Sequence, residues 1–390
     1  MTPMRIALLC HKYWPAVGGL CTYTGRLVEY LVERGHRVDI FTTQTPADTP
    51  EFERIGPSSA IRRFKPRSRN HLPFYIMPGL VAHAASREFG EADVVHSVGY
   101  YFFPSVFGQA ASWIRGKPHV CTPVFALNPA TWEREVFDRT MGRRLVRNAS
   151  HVIVQSDHER RLMHEHRFTL PRQSVVPFGV DSWIFDCNYD VSDLRTRHAI
   201  SESEQVLLFV GKIMSPKGAF DCLEAVARLR AAGRRVRLIM IGDVHARERT
   251  RFKDDVERLA LGESVILTGP LTDRVEIARY YQLADAVVFP SQYEQFGIVA
   301  IEAGASGKPL LSTPVGIMQT LIPRYENGLL HPFGDLDRFT QNLIDVLDTP
   351  RFSNNAARHR AEFLTTYSWR EIARQTENIY ADVVRENSAN

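Results

Sequence analysis

A chain of 390 residues, 44% hydrophobic and 24% charged, is too long for one ordinary core and fits two domains of about 150–200 residues each. That balance belongs to a soluble globular protein, and no run approaches the ~20 apolar residues of a membrane-spanning helix. The net charge of +4 hides an asymmetry. Residues 1–180 hold 23 Lys/Arg against 15 Asp/Glu, leaving 25 against 29 in the remainder, so the first half suits acidic lipids, a phosphate-bearing acceptor or nucleic acid.

The N-terminal residues run straight into Ile6-Ala7-Leu8-Leu9. That run is too short for a signal-peptide core and lacks a cleavage site, so residence in the cytoplasm is expected. Five scattered cysteines (Cys10, Cys21, Cys121, Cys187, Cys222) have no Cys-x-x-Cys spacing and read as reduced residues, not as a disulfide frame or a zinc site. Arg5–Leu9 reads as a buried strand, and Leu20, Tyr23, Leu27, Tyr30 and Leu31 recur at helical spacing up to Arg34-Gly35. Val38–Phe41 is the next strand, which completes a βαβ unit. Further strands are expected at Asp93–His96, Pro118–Thr122, His151–Gln155 and Ser174–Pro177. The pattern breaks near 180–200 and resumes at Val206–Val210, Val236–Ile241, Ser264–Thr268, Ala286–Phe289 and Pro309–Ser312. A final helix near Trp369–Arg385 has no strand after it. The fold class is therefore α/β, with two Rossmann-like domains over residues 1–185 and 195–368.

Two clusters carry chemistry. Glu294 lies in the loop after strand Ala286–Phe289, and Phe296-Gly297 opens a helix that places Glu302 about a turn and a half in. A carboxylate there can accept two hydrogen bonds from a ribose diol, beside backbone N–H groups suited to a phosphate. Taken alone, the pair also fits one capping and one exposed glutamate. The second cluster is Gly211-Lys212 with Ser215-Pro216-Lys217-Gly218, in one strand-to-helix loop. Two lysines supply point charges for a diphosphate, although lysines in such loops are often only solvated. Both clusters fall at the C-terminal ends of strands, where open α/β sheets bind ligands.

Gly211-Lys212…Lys217-Gly218, Glu294-x-Phe296-Gly297 and Glu302 resemble family 4 of the retaining GT-B glycosyltransferases. Pro15…Gly18-Gly19, Pro177-Phe178-Gly179-Val180-Asp181, Ile241-Gly242-Asp243, Gly269 and Glu326-Asn327-Gly328 extend the resemblance over most of the chain. It implies two facing Rossmann-like domains around a donor cleft, with the last helix completing the first domain. It also implies a transferase that moves a sugar from a nucleotide-diphosphate sugar to a glycan or lipid-linked acceptor. By the same resemblance Lys212 and Lys217 grip the diphosphate, Glu302 holds the ribose and Glu294 contacts the sugar. The Gly297 and Ile298 amides lie beside Glu294, Gly211 lets the backbone approach, and Gly18 and Gly19 meet the phosphate. No metal or other cofactor is expected, since fixed lysines stabilise the departing phosphate. Nor is nucleic acid an expected partner.

Two departures stand out: Val124 follows Thr122-Pro123 where relatives carry a histidine, and Gly316-Ile317-Met318-Gln319-Thr320 replaces a Gly-Gly…Glu stretch. His96, in the preceding loop region, is a candidate to compensate as a sugar or acceptor contact; His11 and His119 are weaker candidates. An epimerase, a phosphorylase and a catalytically silent sugar-nucleotide sensor share these features. Asp335-Leu336-Asp337 reads as a helix cap, and His164-Glu165-His166 lacks zinc spacing. The basic segments Arg62–Arg69 and Arg139, Arg143 and Arg147, the latter three on one helical face, read as a solvated surface or as docking to the inner face of an anionic membrane.

Overall fold

The computed structural model describes residues 2–16, 18–67, 75–83, 86–125 and 132–389, apart from the side chains of residues 87–88. The chain forms two compact units: residues 1–179 with 369–390, and residues 180–368. The first contains β1 (Arg5–Cys10), β2 (Arg37–Thr43), β3 (Phe52–Ile55), β4 (Ser59–Phe64), β5 (Val94–Val98), β6 (His119–Thr122), β7 (His151–Val154) and β8 (Gln173–Val175). The second contains β9 (Gln205–Val210), β10 (Val236–Ile241), β11 (Val265–Gly269), β12 (Ala286–Phe289), β13 (Leu310–Ser312) and β14 (Gly328–Leu330).

The strand orders are β3-β4-β2-β1-β5-β6-β7-β8 and β11-β10-β9-β12-β13-β14. All neighbours are parallel except β3, which is antiparallel to β4. Every residue from Ile6 to Cys10 is buried, as helices on both sheet faces require, so these strands read as apolar runs. In each sheet the chain winds one way and then restarts in the middle, beside β1 in one unit and β9 in the other. The seams β1/β5 and β9/β12 are the points where the order reverses, and the loops leaving them open a crevice.

Three strands, β3, β4 and β14, have no clear signature in the sequence. β3 and β4 form a hairpin whose second strand runs into the basic segment that begins at Arg62, and β14 has only three residues. Arg63, in β4, is buried. Its guanidinium donates to the Trp14 carbonyl at 2.8 Å and the Pro50 carbonyl at 3.1 Å, and it pairs with Glu53 at 2.8 Å. Lys65 pairs with Glu51 at 3.0 Å. The charges of Arg63 and Lys65 brace the hairpin; Ser68 and Arg69 lie outside the described residues.

The helix Trp369–Ala389 packs within the first unit, against the helix Gly19–Glu33. Trp369 is buried beside Tyr23, and Glu377 accepts from both Arg34 and His36. His96 belongs to the same attachment. It is 0% exposed on β5, with Nδ1 2.6 Å from Tyr380 Oη of that helix and Nε2 2.8 Å from Thr122 Oγ1. Both ring nitrogens are engaged away from solvent, so the expected sugar or acceptor contact is corrected: His96 ties the last helix to the sheet. His119 is likewise buried, with Nε2 2.7 Å from Ser97 Oγ.

All five cysteines are free, with only Cys187 exposed. Asp335 accepts from the Arg338 amide at 2.9 Å, as a helix cap does. Among the described residues no helix is long and apolar enough to cross a membrane.

Candidate active site

The sheet order of the second unit brings the two lysine- and glutamate-bearing loops side by side. β9 ends in Gly211-Lys212, and β12, its neighbour, ends before Ser291. The Gln292 amide donates to the Pro216 carbonyl at 2.8 Å, which locks one loop to the other. Across that tie the Lys217 ammonium pairs with the Glu294 carboxylate, and the same Nζ lies 5.9 Å from the Phe289 ring centroid. Both side chains are mostly buried, so the pair is held where solvent screens it less than a surface pair. Lys212 is exposed and has no ion pair among the described residues.

Two glycines permit this approach. Gly218 has φ 68, and a Cβ there would sit 2.1 Å from the Pro290 carbonyl oxygen. No other residue can cap the helix Ala219–Ala231 so close to the end of β12. Gly297, with φ 93, caps the helix Ile298–Ala305, and Met318 occupies the space a Cβ would need. The helix N-terminus therefore presents Gly297 and Ile298 beside Glu294, and Glu302 is its fifth residue.

Glu302 is only 2% exposed. One oxygen accepts from Arg274 Nη2 at 2.6 Å and the other from Tyr281 Oη at 2.7 Å. Arg274 also pairs with Asp181 at 3.4 Å. The Glu302 carboxylate is the largest influence raising the Arg274 pKa above its ordinary value; burial, then Glu302, raises that of the Tyr281 phenol. Neither Arg274 nor Tyr281 was legible beforehand. Arg274 follows a cap residue, Asp273, at a helix start, and no local spacing links it to Glu302.

Both departures have structural consequences. Val124 takes φ 56, a left-handed conformation that costs a β-branched residue about 1–3 kcal/mol. Beneath it the buried Glu159 accepts from the Phe125 and Gln155 amides, each at 2.6 Å. Desolvation pushes the Glu159 pKa up to about 7. After β13, the Ile317 amide donates to the Phe296 carbonyl at 2.8 Å, so this loop closes onto the Phe296-Gly297 turn. Thr320 stands half-buried in the helix Met318–Tyr325.

In the first unit, Gly18 precedes the helix Gly19–Glu33. Among the described residues, neither Gly18 nor Gly19 has an atom within 4 Å of where a Cβ would be. Arg134, on the helix Trp132–Phe137, lies 5.2–5.9 Å from the ring centroids of Tyr100, Tyr101 and Phe125. A π-helical turn, Asp138–Gly142, follows that helix and breaks the i, i+4 register, so Arg139, Arg143 and Arg147 do not share one regular α-helical face. Arg139 pairs with Glu135, and Arg143 donates to the His166 carbonyl.

Residues 190–362 match the family model described as "Glycosyl transferases group 1", and residues 17–183 match "Glycosyltransferase Family 4". Two curated relatives are D-inositol 3-phosphate glycosyltransferases. That of Nocardiopsis dassonvillei is 28% identical over 93% of this chain and 89% of its own. That of Mycobacterium marinum is 29% identical over 94% and 83%. Among solved structures, HepE of Anabaena, in complex with UDP, superposes with a TM-score of 0.79 at 19% identity, covering 97% of this chain and 100% of its own. Sucrose-phosphate synthase of Thermosynechococcus elongatus gives 0.75 at 23% identity, covering 98% and 100%. These likenesses show the GT-B fold.

Proposed function

The chain belongs to the glycosyl transferases group 1 family, and on that premise we propose that it moves a hexosyl group from a nucleotide-diphosphate sugar to an acceptor hydroxyl, with retention and without a metal ion. The observation that carries the reading is the seam of β9 and β12, where Lys217, Glu294 and the Gly297 helix start converge and Glu302 lies one turn behind. Lys212 and Lys217 hold the diphosphate and offset the charge that grows on it as the glycosidic bond breaks. In the ligand-free pair Glu294 keeps Lys217 in place; the diphosphate then takes over the lysine, and Glu294 turns to the sugar hydroxyls. Glu302 accepts from the ribose diol. The acceptor's proton passes to a phosphate oxygen on the same face of the sugar, which accounts for retention.

The excess of Arg and Lys in residues 1–180 favours an acceptor with an anionic group, in keeping with relatives named for an inositol phosphate. Membrane contact is a further part of the reading. Trp132 (71% exposed), Val136 and Met141 present apolar surface along the same run as the exposed Arg139, Arg144 and Arg147. Aromatic and basic side chains so interleaved suit an anionic bilayer surface. Serine at all three arginines lowers sedimentation with phosphatidylserine vesicles; equal binding by parent and variant removes this contact.

Thermal stabilisation by UDP, GDP and ADP tests the donor site. A ligand selective for the folded state stabilises by ~2.7 kcal/mol at a hundredfold excess over its dissociation constant. One of the three raises the melting temperature of the parent, and Glu302→Ala loses that response. No response to any nucleotide in the parent removes the donor reading.

A further inference from the structure

Burying a carboxylate as deeply as Glu302 is costly unless a cation lies beside it and its oxygens are hydrogen-bonded. Arg274 is that cation. Its Nη2 donates to Glu302 at 2.6 Å, its Nε lies 3.4 Å from Asp181 Oδ2, and its guanidinium carbon lies 5.8 Å from the Phe185 ring centroid. Two of these contacts, to Asp181 and over Phe185, are independent of Glu302 and hold the arginine against following the carboxylate if it turns. Tyr281 holds the second oxygen at 2.7 Å from the buried side of the helix Arg274–Leu283.

A carboxylate offers about four lone-pair sites on two oxygens. Among the described residues Arg274 takes one on the first oxygen and Tyr281 one on the second, which leaves one acceptor on each. Two free acceptors on adjacent oxygens, fixed in orientation before any ligand arrives, match two neighbouring hydroxyls. A carboxylate free to rotate pays that ordering on binding; this one does not.

We propose that Arg274 is a positioning residue that fixes the Glu302 carboxylate for the 2′,3′-diol of the donor ribose, and thereby sets the preference for ribonucleotides over their deoxy forms. Tyr281 performs the same service at the second oxygen. The inference rests on the donor reading above, in which Glu302 holds the ribose. An arginine that only braced the fold would weaken every nucleotide alike; a positioning arginine acts on the diol alone.

Calorimetry on the full chain separates the two. Dissociation constants are measured for UDP, GDP and ADP and for their 2′,3′-dideoxy counterparts, on the parent, Arg274→Met, Arg274→Lys and Tyr281→Phe. The nucleotide that binds the parent is expected to be held about tenfold to a hundredfold tighter than its dideoxy form, the range of hydrogen bonds to a charged group. In Arg274→Met that ratio falls below about threefold while the dideoxy form keeps its affinity within about twofold, and Arg274→Lys lies between. An unchanged ratio in Arg274→Met, with both forms weakened equally, overturns the proposal and leaves the donor reading standing. Should Arg274→Met fail to fold, unchanged ratios in both Arg274→Lys and Tyr281→Phe overturn it equally. A parent that binds both forms alike, or neither, removes the assignment of Glu302 to the ribose and this inference with it.

Discussion

Replacing Lys217 with alanine is expected to lower kcat/KM by about 10²- to 10³-fold, the usual consequence of deleting a fixed charge aimed at a developing anion. Lys217 enters the site at the turn before Gly218, where the backbone is tied to the neighbouring loop through the Gln292 amide, and Glu294 holds its ammonium. Its position is therefore set before the donor binds, and little reorganisation accompanies bond cleavage. Lys217→Ala also leaves the mostly buried Glu294 without its cation. Lys217→Arg restores the charge but not the activity, because a broad planar guanidinium does not replace a compact ammonium. Steady-state rates with the nucleotide sugar whose base stabilises the parent read both effects. A Lys217→Ala enzyme within about threefold of the parent assigns the leaving-group role elsewhere. The same assay run in EDTA is expected to be unchanged. Loss of rate in EDTA, restored by magnesium, would assign the charge stabilisation to a metal ion.

Between pH 7 and pH 5 the first unit is expected to lose about 4 kcal/mol of stability through His96 and His119. Burial lowers both imidazole pKa values to about 3 in the folded chain, whereas in the unfolded chain they titrate near 6.5. Within that window the unfolded chain binds protons that the folded chain refuses. The stabilisation is thus complete above pH 6.5 and is lost as pH falls, by about 2 kcal/mol per histidine at pH 5. His11 and His151, lowered to about 4 by burial, act in the same direction. Glu159 opposes them. Its pKa is raised to about 7, so it costs stability as pH rises from its ordinary value towards neutrality. Urea melts at the two pH values check the balance. In His119→Gln the loss between pH 7 and pH 5 shrinks by about 2 kcal/mol; an unchanged loss means that His119 takes up its proton without unfolding.

What could be read beforehand was local. Glu294 and Glu302 flank a helix start, and a spacing of eight residues along one loop and helix follows from chain geometry alone. Lys212, Lys217 and the glycines around them lie in one strand-to-helix turn, and the apolar runs announced most of the parallel strands because both sheet faces are covered. The hairpin of β3 and β4 escaped notice because Arg62-Arg63 looks like a solvated charge run, whereas β4 lies between β3 and β2 and the burial of Arg63 depends on carbonyls at Trp14 and Pro50. His96 looked like a ligand because a histidine at a strand end has the same signature whether it faces a crevice or a helix. The difference lies with Tyr380, 284 residues away.

Thus the residue types, their order and the two-domain α/β class were determined by the sequence itself, since strand and helix periodicity and turn chemistry act over a few residues. Only the tertiary structure decided that Lys217 meets Glu294 across 77 residues, and that Arg274 and Tyr281 are the partners of Glu302. Those encounters depend on β9 lying beside β12 and on one helix packing against another. Strand order and helix packing minimise the free energy of the whole sheet and its covering layers, and no local stretch of sequence carries them.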